Sequence, residues 1–256
     1  MHKPRKRFGQ HFLHDQNVIR HIILAIAPKS GEHLIEIGPG QGALTFPILK
    51  MAGQLDVVEI DRDLVADLQT HATLDGRLIV HQQDALKFDF STLAESAKPL
   101  RIFGNLPYNI STPMIFHLLK FSSVIADMVF MLQKEVVDRI ASDAGGDDYG
   151  RLSVMVQYHC RVEALFDVSP DSFDPPPKVN SSVMRLIPYP TIPFVAKDYL
   201  NFYNLVKQAF SQRRKTLRNS LRGMLNETDW QELKMSSQAR PEELTVEDFV
   251  KLSNRM

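Results

Sequence analysis

The sequence contains one cysteine, Cys160, so no intrachain disulfide can form. That removes the covalent framework of a secreted scaffold and leads us to expect a reducing, cytoplasmic setting. It also lacks long hydrophobic runs: no uninterrupted apolar stretch nears the ~18 residues a membrane helix needs. The basic N-terminus runs into Phe8-Gly9-Gln10-His11-Phe12 rather than an apolar h-region, so no secretory signal is expected. Nor is there a metal-ligand pattern. His11, His14 and His21 fall close together, but without a partnered carboxylate or cysteine, and no metal site is expected. Internal repeats and low-complexity tracts are absent. So is net charge, with 30 basic residues against 30 acidic. A neutral total does not exclude a nucleic-acid partner, because distribution matters more.

The charge that is present is clustered. Residues 1–7 carry Lys3, Arg5, Lys6 and Arg7 with no acid. Residues 212–222 carry Arg213, Arg214, Lys215, Arg218 and Arg222, again with no acid. Such runs are often solvated surface. Two acid-free clusters in a neutral chain are better explained as phosphate contacts.

The 256 residues suffice for one large α/β domain and a small appendage. Ile19, Ile22, Ile23 and Ile26 recur at helical spacing and predict a helix over 16–27, capped by Asp15 and ended near Pro28. Strands are predicted at Leu34–Ile37, Leu55–Ile60, Leu78–His81, Leu100–Gly104 and Met128–Leu132, with helical segments between most of them. This alternation predicts a doubly wound, mainly parallel sheet with helices on both faces. Thr112-Pro113 reads as a cap followed by an N1 proline, opening a helix to about 120. Arg151–His159 reads as a helix, and Val162–Val168 and Val179–Leu186 as strands that could close a sheet edge as an antiparallel pair. Pro188, Pro190 and Pro193 mark a domain boundary. The division expected is 1–190 and 191–256, the second part all helical, with one long basic helix from Asn201 to Leu221.

Residues 34–42 read Leu-Ile-Glu-Ile-Gly-Pro-Gly-Gln-Gly, a strand running into Gly38, Gly40 and Gly42 and then into a helix over 43–50. Glycine allows the tight turn and lets a ligand approach without meeting a Cβ. A dinucleotide loop needs G-x-G-x-x-G. Here the third glycine comes one residue early, which argues against a pyrophosphate and for a phosphate-free adenosine cofactor such as S-adenosylmethionine. Glu59 ends the next strand, where a carboxylate can accept both ribose hydroxyls. Asp84 follows the third strand and can accept from the cofactor's adenine amino group. Taken singly, either acid is more often a helix cap or a surface residue; their order and spacing carry the reading.

Asn105-Leu106-Pro107-Tyr108 follows the fourth strand. A plain turn leaving a sheet would look similar. The chemical reading explains more. The exocyclic amine of adenine is a poor nucleophile because its lone pair is delocalised into the ring. The Asn105 side-chain oxygen and the Leu106 carbonyl can accept its two N–H bonds and stabilise the charge that develops there. Pro107 stiffens the turn, and Tyr108 offers a stacking face. The base must leave any helical stack to reach such a pocket. Phe173, beside Asp174-Pro175-Pro176-Pro177-Lys178, is a candidate second stacking face or, equally, core packing at a proline turn.

With these residues assembled, the chain resembles the KsgA/RsmA family of ribosomal RNA small-subunit adenine dimethyltransferases. The segments that carry the resemblance include Arg5–Leu13, Glu36–Gly40, Asn105–Ser111, Leu132–Val136, Tyr149–Ser153, Pro175–Val179 and Gln212–Arg218. The resemblance implies a Rossmann-like class I methyltransferase domain with a small helical C-terminal domain. It implies dimethylation of two adjacent adenosines in the hairpin loop near the 3′ end of 16S rRNA, within a 30S particle. Cofactor contacts are implied at His11, Leu13, Gly38, Gly40, Glu59, Asp84 and Asn105. One departure stands out: the Gln-x-Phe-Leu motif often has Asn at x, where this chain has His11. A monomer without an obligate protein partner is expected. Three rivals remain: an enzyme for large-subunit RNA, a DNA adenine methyltransferase, and an assembly factor for which binding matters more than methylation.

Overall fold

The computed structural model describes residues 10–71, 76–95, 98–212 and 214–256. The basic residues Lys3, Arg5, Lys6, Arg7 and Arg213 lie outside them. The described chain begins with β1 (Phe12–Leu13) and α1 (Gln16–Ile26). The Asp15 carboxylate accepts from the Asn17 N–H at 2.8 Å and from Val18 N–H, satisfying first-turn donors. Ala27 closes the helix in the left-handed region at φ 48°. Ile19, Ile22 and Ile26 form its buried face.

Alternation follows: β2 (His33–Ile37), α2 (Thr45–Ala52), β3 (Gln54–Glu59), α3 (Arg62–His71), β4 (Arg77–Gln82), β5 (Leu100–Asn105), α4 (Ser111–Leu119), β6 (Ile125–Gln133) and α5 (Lys134–Ala141). Then come α6 (Arg151–His159), β7 (Cys160–Val168), β8 (Phe173–Asp174) and β9 (Ser181–Pro188). The strands form a seven-stranded sheet in the order β4-β3-β2-β5-β6-β9-β7. The pairs from β4 through β6 are parallel, and β9 is antiparallel to β6. Central strands such as β3, with Leu55, Val57 and Val58 all buried, are apolar on both faces, as helix-covered parallel strands are. The two strands expected to close a sheet edge do so: β9 lies against β6, and β7 is hydrogen-bonded to β9 as the outermost strand.

This order creates the site. From β2 the chain moves to β3 on one side, then later returns to β5 on the other. At such a switch point the connections leave in opposite directions and open a crevice at the strand C-termini. The glycine loop after β2 and the Asn105 turn after β5 are therefore neighbours. Gly104 is needed there, because a Cβ on it would overlap the Ile37 carbonyl of β2.

Three local expectations are corrected. The fourth helix starts at Ser111, with Ile110 at its cap position, so Thr112-Pro113 lies inside its first turn. Proline is tolerated there because first-turn N–H groups have no helical acceptor. The glycine-loop helix starts at Thr45 rather than 43. The single long helix from Asn201 to Leu221 is instead α7 (Tyr199–Ala209) and α8 (Leu217–Ser220). Arg214 between them is left-handed at φ 70°, a conformation no α-helix passes through. The Leu217 and Arg218 N–H groups donate to Ala239 and Ser237 carbonyls at 2.9 and 2.8 Å, so tertiary partners take the donors a continuous helix would use.

The chain completes with α9 (Glu227–Leu233) and α10 (Val246–Ser253). Packing divides it into two compact units. One holds the chain up to Val137 together with Glu163–Pro188; the other holds Asp138–Val162 with Tyr189–Met256. The proline-rich break predicted near 190 is one crossing, but α6 joins the C-terminal helices, packing on α7 and α10. Periodicity identifies such a helix without saying whose core it enters.

Candidate functional site

One cavity, of about 270 Å³, collects ten of the predicted residues. His11 and Leu13 come from the β1 segment, Gly38 and Gly40 from the loop after β2, Glu59 from β3 and Asp84 from the turn after β4. Asn105, Leu106, Pro107 and Tyr108 complete its wall from the end of β5. Gly38 and Gly40 sit at φ 66° and 58°, where residues with a Cβ are strained. A Cβ on Gly40 would also stand 3.3 Å from the Phe12 ring.

The charges lining this cavity are of one sign. Glu59 and Asp84 contribute carboxylates, Glu36 adds a buried carboxyl group, and among the described lining residues there is no lysine or arginine. Such a lining disfavours a pyrophosphate and favours a cationic ligand with hydroxyl and amino donors. The Glu59 carboxylate, 6% exposed, accepts from Ile60 and Asp61 N–H at 2.8 Å each and from Gly40 N–H at 3.4 Å. Burial raises its pKa, and those backbone donors oppose the rise. Asp84 accepts from the Leu86 N–H at 3.0 Å and so caps the short 3₁₀ turn Ala85–Lys87 while lining the cavity. The capping role and the ligand-facing position coexist.

Glu36 escaped the sequence reading. It is 2% exposed in the middle of β2, and Thr45 Oγ1 donates to its Oε2 at 2.6 Å. Burial pushes its carboxyl up to about 8, against the lowering effect of that hydrogen bond. The signal was legible: an acid inside an apolar strand must be paired, neutral or functional.

At the other end of the cavity, the Asn105 side-chain Nδ2 donates to the His11 carbonyl at 3.1 Å. That contact specifies which way the amide points and leaves Oδ1 as its acceptor. The Leu106 N–H donates to the Met131 carbonyl at 3.2 Å, holding the turn to β6. The Pro107 and Tyr108 carbonyls accept from Ile110 N–H and Ser111 Oγ, both at 3.0 Å. The Tyr108 hydroxyl and Ser181 Oγ are 2.6 Å apart, and burial raises the phenol pKa. The His11 ring stacks on Tyr108, with centroids 5.8 Å apart and planes at 27°.

Phe173 lies elsewhere. It is 2% exposed, pairs with Leu13 in the β1–β8 ladder and packs in the core. The core-packing alternative therefore describes it, because the short ladder turns its ring inward. Arg214, Lys215, Arg218 and Arg222 are exposed in the second unit. Arg218 is paired with Glu227 at 3.1 Å. Among the described residues no group of three or more His, Cys, Asp or Glu side chains could hold a metal ion, and no helix is long and apolar enough to cross a membrane.

Comparison with known proteins bears on this geometry. Residues 1–256 match the family described as ribosomal RNA adenine dimethylase. The chain is 54% identical over 255 residues to the ribosomal RNA small subunit methyltransferase A of Pseudomonas putida, covering 100% of this chain and 96% of that one. It is 52% identical over 253 residues to the protein of that name from Alcanivorax borkumensis, covering 99% and 90%. A crystal structure of a dimethyladenosine transferase from Plasmodium falciparum superimposes with a TM-score of 0.82 at 28% identity, over 94% of this chain and 96% of that one. The 23S rRNA methyltransferase ErmE gives 0.72 at 23% identity, over 95% and 98%, a likeness that bears on the fold alone.

Proposed function

Because this chain belongs to the ribosomal RNA adenine dimethylase family, we propose that it dimethylates the N6 amino groups of two adjacent adenosines in the hairpin loop near the 3′ end of 16S rRNA. It uses S-adenosylmethionine and acts on a small-subunit particle during biogenesis, as a monomer in the cytoplasm. The observation that carries the chemistry is the Asn105–His11 hydrogen bond, which dedicates Asn105 Oδ1 to accepting.

When bound, S-adenosylmethionine supplies a methyl group already activated by its sulfonium, so the protein's task is largely positional. Glu59 accepts the ribose hydroxyls and Asp84 the adenine amino group. Gly38 and Gly40 admit the ligand backbone-close, and His11 and Leu13 cover it. The surplus of carboxylates suits its positive charge. Asn105 Oδ1 and the Leu106 carbonyl accept the two N–H bonds of the target amine. Pulled toward two acceptors, the nitrogen pyramidalises and its lone pair leaves the ring system. The same acceptors stabilise the positive charge that grows on nitrogen, in a site whose dipoles are already oriented. No strong base is required. Tyr108, neutral and held by Ser181, supplies a rigid face for the extruded base. Arg213, Arg214, Lys215 and Arg222 hold RNA phosphates, and Arg218 does so in exchange for Glu227.

A labelled methyl-transfer assay on undermethylated small-subunit particles, large subunits and DNA tests the reading. Label confined to adenine N6 of small-subunit RNA supports it. Label in large subunits or DNA, or none, overturns it.

A further inference from the structure

His11 meets three parts of the site at once. Its backbone carbonyl accepts from Asn105 Nδ2 at 3.1 Å. Its ring Nδ1 lies 2.7 Å from the Pro175 carbonyl. Its imidazole covers Tyr108, with centroids 5.8 Å apart. A carbonyl only accepts, so Nδ1 carries the proton and donates to it. Tyr108 cannot readily turn aside, because Ser181, itself fully buried, holds its hydroxyl. Both rings line the cavity that Asn105 closes.

A base inserted between two rings needs about 7 Å between them, two carbon–carbon contacts of roughly 3.5 Å. The separation here is 5.8 Å between centroids. Adenine and the His11 ring therefore compete for the same face of Tyr108. We propose that the His11 imidazole is a displaceable placeholder for the target base, covering the stacking face of Tyr108 until adenosine swings it aside. The division of labour within His11 permits this. Its carbonyl orients Asn105 through the backbone, so the ring can leave without turning the catalytic amide. The inference rests on the adenine-pocket reading above.

One ring stack and one hydrogen bond are lost when the ring leaves, so the competition is worth on the order of tenfold in apparent affinity. His11→Asn removes the ring and keeps the carbonyl. With undermethylated small-subunit particles and saturating S-adenosylmethionine, so that any lost cofactor contact does not enter, it should lower the KM for particles about tenfold. It should tighten equilibrium binding of those particles, measured without methyl donor, by a similar factor. His11→Phe keeps a ring but loses the Pro175 anchor, and should fall between the two. A KM that rises or stays the same, or a kcat that falls at constant KM, overturns the proposal. The thermal midpoint of each variant identifies one that fails to fold, in which case the other decides. Wild-type protein that does not methylate adenine would overturn the adenine-pocket reading instead, whatever the variants do.

Discussion

The side-chain amide of Asn105 and the backbone carbonyl of His11, 94 residues apart in sequence, meet in a 3.1 Å hydrogen bond that orients the amide. The donor end is committed to protein, and the acceptor end is left for a substrate amine. Asn105→Ala removes that acceptor while leaving the cofactor's other contacts in place. Methyl transfer should fall at least ~10²–10³-fold, the cost of losing one preorganised transition-state partner. Cofactor affinity measured by calorimetry should change little. Near-wild-type turnover would remove Asn105 from the chemistry.

Glu59 offers its carboxylate where β3 meets the cavity, already oriented by the N–H groups of Ile60 and Asp61. Glu59→Ala should weaken cofactor binding by about tenfold or more, since hydrogen bonds to a charged acceptor are worth ~1.5–3 kcal/mol each. Unchanged affinity would show that the carboxylate serves only the loop.

Glu36 predicts a pH dependence with a definite sign. Burial raises its carboxyl from 4.5 to about 8. Between those values the unfolded chain has released a proton that the folded chain still holds. The unfolded state then binds fewer protons, so stability declines as pH rises from 4.5 to about 8 and levels off above. Glu36→Gln keeps an acceptor for Thr45 and cannot ionise. Without cofactor it should melt like the wild type near pH 4.5 and higher at pH 8.5, by about 2–4 °C for each kcal/mol relieved. Equal midpoints at both pH values would rule out a buried neutral acid.

The exposed run in the second unit predicts a salt effect. Arg214, Lys215 and Arg222 are open to solvent, whereas Arg218 already has Glu227. Replacing the first three with alanine should flatten the plot of log affinity against log salt by about 2–3, at ~0.7–0.9 per phosphate contact. Arg218→Ala alone should change the slope by less than one of those contacts. A triple variant with the wild-type slope would make the run plain solvated surface.

What the sequence determined by itself was whatever is local. The run Leu-Ile-Glu-Ile-Gly-Pro-Gly-Gln-Gly specifies a strand and a turn with positive φ within nine residues. Alternating apolar segments specify a parallel sheet, and that sheet's switch point decides where ligands bind. Gly38, Gly40, Glu59, Asp84 and the Asn105–Tyr108 turn could therefore be placed without coordinates, whereas His11 and Leu13 rested on the family resemblance. Tertiary structure decided whatever depends on partners far along the chain. Phe173 is core because Leu13 pairs with it. The basic helix breaks because Ser237 and Ala239 carbonyls claim its amides. Glu36 holds its proton because helices and strands exclude water from it. Asn105 points one way because His11 is there to receive it. Periodicity and propensity report what a segment prefers; hydrogen-bond partners and desolvation are properties of what surrounds it.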